Sequence, residues 1–228
     1  MSQIIVDNVT KTYSIGDEQL DAVCSVSLTI KRGDFISIVG HSGSGKTTLL
    51  SMIGGITTPT SGRILFEDRD LYSLGRDELS TYRCEKIGFM FQFASLLPML
   101  TVKENLLLPT VFRSDEGNRE VHQWGKKAVS LLRKVGLGDK INTYPSQLSG
   151  GQQRRVAIAR AFMNDPALIL ADEPTGDLDE DTEQEMINLF RIMNQSEGIT
   201  FIIVTHNTDI AKQSKYQFRM HNGSIQKQ

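Results

Sequence analysis

Cysteine is scarce, with Cys24 and Cys84 alone in 228 residues. They form neither a CxxC pair nor a Cys/His ligand set, so a disulfide scaffold and a structural zinc site both lack support, and a reducing compartment is expected. Long apolar runs are missing too: "ALILA" and "FIIV" are strand-sized, far short of the ~20 residues that span a bilayer. The opening "MSQIIVDNVTKTYS" lacks the basic stretch, apolar segment and cleavage site of a secretory leader, so a cytoplasmic chain is expected, with any membrane role exercised through a partner. Excess positive charge is absent as well. Lys and Arg number 25 against 27 Asp and Glu, a net −2, which leaves no global field for nucleic acid, and no nucleic-acid partner is expected. There is no low-complexity linker and no internal repeat, while 39% hydrophobic and 23% charged residues are values of a globular domain.

Apolar bursts between turn residues mark seven strands: "QIIVDNV", "VSLTI", "FISIV", "RILFE", "IGFMF", "ALILA" and "TFIIV". "FISIV", "ALILA" and "TFIIV" are unbroken and suit a parallel sheet buried on both faces; the early segments alternate and suit an antiparallel layer. Between residues 101 and 140 helical spacing takes over, with Val121, Trp124, Ala128, Leu131, Leu132 and Val135 on one face. Trp124 reads as packing in that lobe. "DEDTEQEMINLFRIMN" opens acidic, as a helix N-terminus prefers, and buries Met186, Leu189, Phe190 and Met193 by its spacing. The expectation is one α/β domain over residues 1–228: a mixed sheet, an antiparallel β flank, and a helical subdomain inserted at about residues 95–163.

"FISIVGHSGSGKTTLL" is strand, glycine-rich turn and helix, and Gly40, Gly45, Lys46 and Thr47 meet the GxxxxGK[ST] pattern. The loop of Gly40, His41, Ser42, Gly43, Ser44 and Gly45 can wrap phosphates, Lys46 can neutralise β and γ oxygens, and Thr47, followed by Thr48, can ligate Mg²⁺. "ALILADEP" delivers two carboxylates at a strand end, Asp172 for the metal and Glu173 toward an attacking water. Gln92, near the end of "IGFMF", can orient water or complete the metal shell. His206, after "TFIIVT", can hydrogen-bond a phosphate oxygen. A second anion-binding helix start stands in "LSGGQQRR", residues 148–155, ahead of "VAIARAFMN".

Together these residues resemble an ABC-type ATPase, a P-loop NTPase that serves as the nucleotide-binding subunit of ATP-binding cassette transporters. The resemblance spans nearly the whole chain and rests on the phosphate loop, "LILADE", the signature "LSGGQ" at residues 148–152, the glutamine loop at Gln92, "GDLD" ending at Asp179, and the switch histidine His206. It implies ATP and Mg²⁺ as cofactors and a head-to-tail pair of cassettes, either a homodimer or a pair with a related ATPase. Ser149, Gly150, Gly151 and Gln152 of one then clamp the phosphates held by the other, Asp179 lies beside the nucleotide, and Tyr13 stacks on adenine.

"KTYSIGDEQLDAVCSVSLTIKRGDF", "FQFASLLPMLTVKENLLLP" and "LILADEPTGDLD" look like the macrolide-export and lipoprotein-release group, which also includes antimicrobial-peptide resistance and cell-division members. Asp177 departs mildly, since members often carry asparagine there. The group implies an integral membrane permease, met on the inner face of the membrane at a groove beside Gln92 and "FASLLPML". It also leaves open a mechanotransmitting role through a partner that moves no cargo. A soluble cassette of repair or translation fits less well, because the chain carries neither a paired cassette nor a coiled-coil or zinc insertion. A kinase or GTPase is opposed by LSGGQ.

Overall fold

Side chains on successive strand residues point to opposite faces, so a strand that is apolar throughout needs a core on each side. That is how β3 (Phe35–Val39), β7 (Leu168–Asp172) and β8 (Thr200–Thr205) are used, each buried along its whole length. Phe35, Ile169, Ala171, Phe201 and Ile203 enter one core, while Ile36, Ile38, Leu168, Leu170, Ile202 and Val204 enter the other. The computed structural model describes residues 2–113, 121–176 and 178–227, so Asp177 and the side chain of Val121 lie outside the described residues.

A six-stranded sheet runs β10-β9-β3-β8-β7-β6, with β6 (Ile87–Met90), β9 (Tyr216–His221) and β10 (Ser224–Lys227) completing it. Pairing is parallel from β9 to β6 and antiparallel between β10 and β9. The second sheet is antiparallel, β2-β1-β4-β5, built from β1 (Ser2–Ile15), β2 (Glu18–Lys31), β4 (Ser61–Phe66) and β5 (Arg69–Asp70). Between the sheets lies α1 (Lys46–Ile53), whose Leu49, Met52 and Ile53 are fully enclosed in the second core. A short α2 (Arg76–Thr81) continues into a π turn at Tyr82–Lys86, where burial of Tyr82 drives its hydroxyl far above the usual tyrosine range.

Between β6 and β7 the described residues form no strand; they carry α3 (Val102–Leu107), α4 (Val121–Lys134) and α5 (Gly150–Ala161). Leu106, Ala128, Leu132 and Val156 from these helices fill the first core. Trp124 packs at its margin with Arg113 and Lys127 over its ring. α6 (Glu180–Glu197) closes the same core, with Phe190 stacked on Phe201 and Phe201 on Phe35 at 5.6 and 5.2 Å. Met186 and Met193 are buried beside them. A last short helix, α7 (Thr208–Lys212), follows β8.

Three strands were not anticipated: β5, β9 and β10. None of them is an apolar burst: β5 is the charged pair Arg69–Asp70, β10 is an exposed edge with one apolar residue, and β9, half covered, alternates Tyr216, Phe218 and Met220 with Gln217, Arg219 and His221. The helix after the signature also begins earlier than its apolar residues suggest. Ser149 caps α5 and both glycines lie in its first turn, because the cap offsets their poor helix propensity.

Candidate functional site

The register of the large sheet lines up four strand ends. Val39 pairs with Thr205, Asp172 with Val204, and Met90 with Ala171, so the loops leaving β3, β8, β7 and β6 emerge together at the carboxyl edge. A cleft of about 490 Å³ opens there. Gly40, Ser42, Gly43, Gly45, Lys46, Thr47 and Thr48 form one wall, and Gln92, Asp172, Glu173 and His206 face it. Tyr13 completes it from the antiparallel sheet.

The phosphate loop is held by close packing. A Cβ on Gly45, whose φ is +101°, would stand 2.1 Å from the Ala22 carbonyl oxygen of β2. At Gly40 it would meet the Met220 carbonyl oxygen of β9 at 2.3 Å, so the glycines allow both sheets to press on the loop. His41 contributes its carbonyl: Lys46 Nζ donates to the Gly40 and His41 carbonyls at 2.8 Å each. Burial holds the Lys46 ammonium below the ordinary lysine range, against the pull of Glu173 and Asp172. Ser44 Oγ is buried inside the loop without a hydrogen-bond partner.

Thr47 Oγ1 donates to Asp172 Oδ2 at 2.8 Å. Burial raises the Asp172 carboxyl above its usual 3.8, only partly offset by the Thr47 hydrogen bond, while Glu173 adds to the rise and Lys46 opposes it. No group of three or more His, Cys, Asp or Glu among the described residues could hold a metal alone. A hydroxyl, a carboxylate and an amide oxygen at one phosphate-sized cleft instead fit Mg²⁺, which takes one or two protein ligands and completes its shell with water and substrate phosphates. The raised carboxyl and the orphaned Ser44 hydroxyl are what a site built for a cation and an anion leaves unsatisfied.

A raised acid pKa costs the folded state stability above that pKa and is relieved as pH falls through it, opposite to a salt-bridged aspartate. Asp172→Asn is therefore expected to raise the melting temperature of the nucleotide-free domain, by about 2–4 °C per kcal/mol relieved, while weakening Mg²⁺-dependent nucleotide binding. Calorimetry with and without Mg²⁺·ATP checks both halves; a lower melting temperature without ligand would contradict the buried-charge account.

Glu173 follows β7 in the left-handed region, φ +46°, after its N–H has extended the pairing to the Val204 carbonyl. The turn carries its carboxylate to the end of β8. Thr205 Oγ1 donates to Oε2 at 3.1 Å, the His206 backbone N–H to Oε1 at 2.9 Å, and His206 Nδ1 lies 2.8 Å from Oε1. His206 thus stands tied to Glu173, its side chain 76% exposed against 16% for the carboxylate. A non-glycine residue in this region stores on the order of 1–3 kcal/mol, kept only where neighbours over-determine it.

Other expected residues lie elsewhere. Ser149 Oγ accepts from the Gln152 N–H, and Gln152 Oε1 accepts from the Ser149 N–H, a reciprocal cap that leaves Ser149 and Gly150 exposed outside the cleft. Gly150 and Gly151 supply first-turn N–H donors of α5. Asp179 caps α6, accepting from the N–H and hydroxyl of Thr182, which hold its carboxyl below the usual range. Residues that sequence reasoning passed over also line the cleft. Leu20 of β2 pairs with Tyr13, and the buried Arg154 of α5 donates to the Phe91 and Gln92 carbonyls. Its helical spacing from Ala157 and Ile158, three and four residues on and both buried, was the available signal for Arg154.

The family model for ABC transporters matches residues 23–176. The chain belongs to the ABC transporter family. Relatives of this cassette include the macrolide export ATP-binding/permease protein MacB of Rhodopirellula baltica, 44% identical over 94% of the chain, and the lipoprotein-releasing system ATP-binding protein LolD of Myxococcus xanthus, 38% identical over 99%. The chain spans 31% of that MacB but 99% of that LolD. Among solved structures, the dimeric post-hydrolysis state of the ATP-binding cassette MJ0796 from Methanocaldococcus jannaschii, bound to ADP and Pi, superposes with a TM-score of 0.93 at 40% identity, covering 99% of this chain and 97% of that one. The two sheets and the helices between β6 and β7 are the architecture of an ABC ATPase cassette.

Proposed function

We propose that this cassette binds and hydrolyses ATP with Mg²⁺ and, paired with a second cassette, drives a membrane permease in efflux or lipoprotein release. The observation that carries the reading is the single cleft into which the strand ends gather the phosphate loop, Asp172, Glu173, Gln92 and His206. Lys46 and the loop N–H groups bind the phosphates, Thr47, Asp172 and Gln92 hold the cation, and Tyr13 stacks on the base with Leu20 beside it. When bound, the cation neutralises charge on the phosphate oxygens. Glu173 accepts a proton from the attacking water, and His206 and Gln92 sense the γ-phosphate. The acceleration comes from groups already oriented before the substrate arrives.

The signature stands outside the cleft with first-turn donors to offer, which favours its use on the nucleotide of a second cassette, as a homodimer or with a related chain. The dimeric MJ0796 cassette with ADP and Pi supports the pairing. On this reading residues 1–228 are one unit, and the helical lobe at about 95–163 carries the signature toward its partner.

A second opening, of about 400 Å³, lies between β6, the π turn and the end of α5. Phe91 and Phe112, 46% and 68% exposed, line it with Arg83, Arg160 and Asn164. No helix among the described residues is long and apolar enough to cross a membrane, and the MacB relatives are named as ATP-binding and permease proteins in one. None of its lining residues belongs to "FASLLPML", the stretch expected to border the permease groove, but Phe91 lies two residues before it. On this reading the opening receives the permease, and the cassette works on the cytoplasmic face. Phe112→Glu is expected to reduce recovery of the membrane partner by about tenfold or more while leaving ATP hydrolysis by the isolated cassette within twofold; equal recovery would remove the groove from the interface.

The test of the whole reading is to purify tagged Glu173→Gln from membranes solubilised with ATP and Mg²⁺ and identify what accompanies it. A permease with a large extracytoplasmic domain supports it, and that domain distinguishes transport from mechanotransmission. Recovery of soluble or nucleic-acid-bound proteins alone overturns the transporter assignment.

A further inference from the structure

Glu183, in the first turn of α6, does not line the cleft, yet both of its carboxylate oxygens are engaged with the loops that do. Thr175 Oγ1 donates to Oε1 at 2.7 Å, and Asn207 Nδ2 donates to Oε2 at 3.1 Å. Thr175 is two residues beyond Glu173 and Asn207 is one beyond His206. Asn207 also donates its N–H to Thr205 Oγ1 at 3.0 Å, the hydroxyl that binds Glu173 Oε2.

We infer that Glu183 is a positioning residue for hydrolysis: its carboxylate clasps the loop after Glu173 to the loop after His206 and so fixes the Glu173–His206 pair. This rests on the reading of Glu173 as the base for water. The left-handed Glu173 needs external restraint, and among the described residues of the turn behind it the backbone bond that reaches Glu173 itself is long, Gly176 N–H to the Glu173 carbonyl at 3.3 Å, while Leu178 N–H to the Thr175 carbonyl at 3.0 Å is of ordinary length. Thr175, 2% exposed, is the buried end of that turn. A carboxyl group is the fitting clasp, because it offers two acceptor oxygens and both groups facing it donate.

Two substitutions break the clasp differently. Glu183→Ala removes both acceptors, and Asn207→Asp sets two carboxylates against each other while keeping an oxygen for the Ile210 N–H. Each is expected to lower kcat about tenfold, less than the roughly 10²-fold that a misplacement of about 1 Å can cost, with KM for ATP within twofold. Combining Asn207→Asp with Glu183→Gln restores complementarity with reversed polarity, since the glutamine amide donates to Asp and its oxygen accepts from Thr175. The double variant is expected to regain most of the lost kcat, a recovery that general destabilisation does not produce.

Hydrogen exchange on the nucleotide-free proteins supplies a readout independent of turnover. In Glu183→Ala the N–H groups of Gly176, Leu178 and His206 are expected to exchange at least about fivefold faster, with those of β7 and β8 unchanged. Unaltered exchange there, kcat within twofold of wild type in folded Glu183→Ala, or a double variant no better than Asn207→Asp would each overturn the clasp. Wild type and Glu173→Gln are measured alongside: if wild type hydrolyses no ATP, the functional reading fails, while the exchange data still decide whether Glu183 holds the loops.

Discussion

Glu173→Gln is expected to reduce ATP turnover by about 10²–10⁴-fold while ATP binding stays within a few-fold of wild type. The substitution conserves shape, and neither the Lys46 contacts nor the Thr47–Asp172 pair involves Glu173 through a hydrogen bond. What is lost is the capacity to accept a proton, at a carboxylate already held by Thr205 and His206. Because binding survives, the nucleotide-loaded pair of cassettes should accumulate, visible as an ATP-dependent dimer in size-exclusion chromatography. Single-turnover kinetics together with fluorescent-nucleotide binding separate the two effects; full turnover would remove Glu173 from the chemistry.

Lys46→Ala should fail at the earlier step, weakening ATP binding by about 10–100-fold, the equivalent of one charge-assisted contact of about 1.5–3 kcal/mol. Lys46 is buried, and its ammonium is held at the loop by the Gly40 and His41 carbonyls, so no neighbouring side chain can replace it. Burial lowers its pKa, so the folded site loses the cation before an ordinary lysine would, and ATP affinity should begin to fall below pH 10.5 as the solution becomes alkaline. Nucleotide titration across pH checks both statements. An unchanged dissociation constant in the variant would mean that loop N–H groups alone hold the phosphates.

The contrast between these variants and Glu183→Ala follows the division of labour in the site. On the proposed reading Lys46 acts on binding, Glu173 on the reacting water, and Glu183 on the geometry of Glu173. In kinetic terms the first raises KM, and the other two lower kcat at nearly constant KM, by very different amounts.

Much of the site was legible because its chemistry is written in short contiguous motifs. Gly40 to Thr47 occupy one turn, and Asp172 and Glu173 are adjacent at the end of an apolar strand, where local geometry alone brings backbone and side chains to a ligand. Seven of the ten strands among the described residues were legible for a related reason, since an unbroken apolar run such as "TFIIV" is buried by a core on each face. β9 and β10 were not, because neither is a continuous apolar run: half-covered β9 alternates Gln217 and Arg219 with its apolar residues, and the edge strand β10 carries Gln226 and Lys227. The capping role of Ser149 was hidden because one serine can cap its own helix and still present that helix start to a ligand.

By itself the sequence determined the phosphate loop, the two carboxylates, the signature and the buried strands, all of which depend on residues within a few positions of one another. Only the tertiary structure decided that Glu173 turns in the left-handed region to meet His206, that Arg154 reaches the Gln92 loop, and that Glu183 spans Thr175 and Asn207. Those partners lie 8 to 62 residues apart in the chain. They meet because parallel strand register sets their loops side by side, and a register is a property of the paired sheet that no single segment carries.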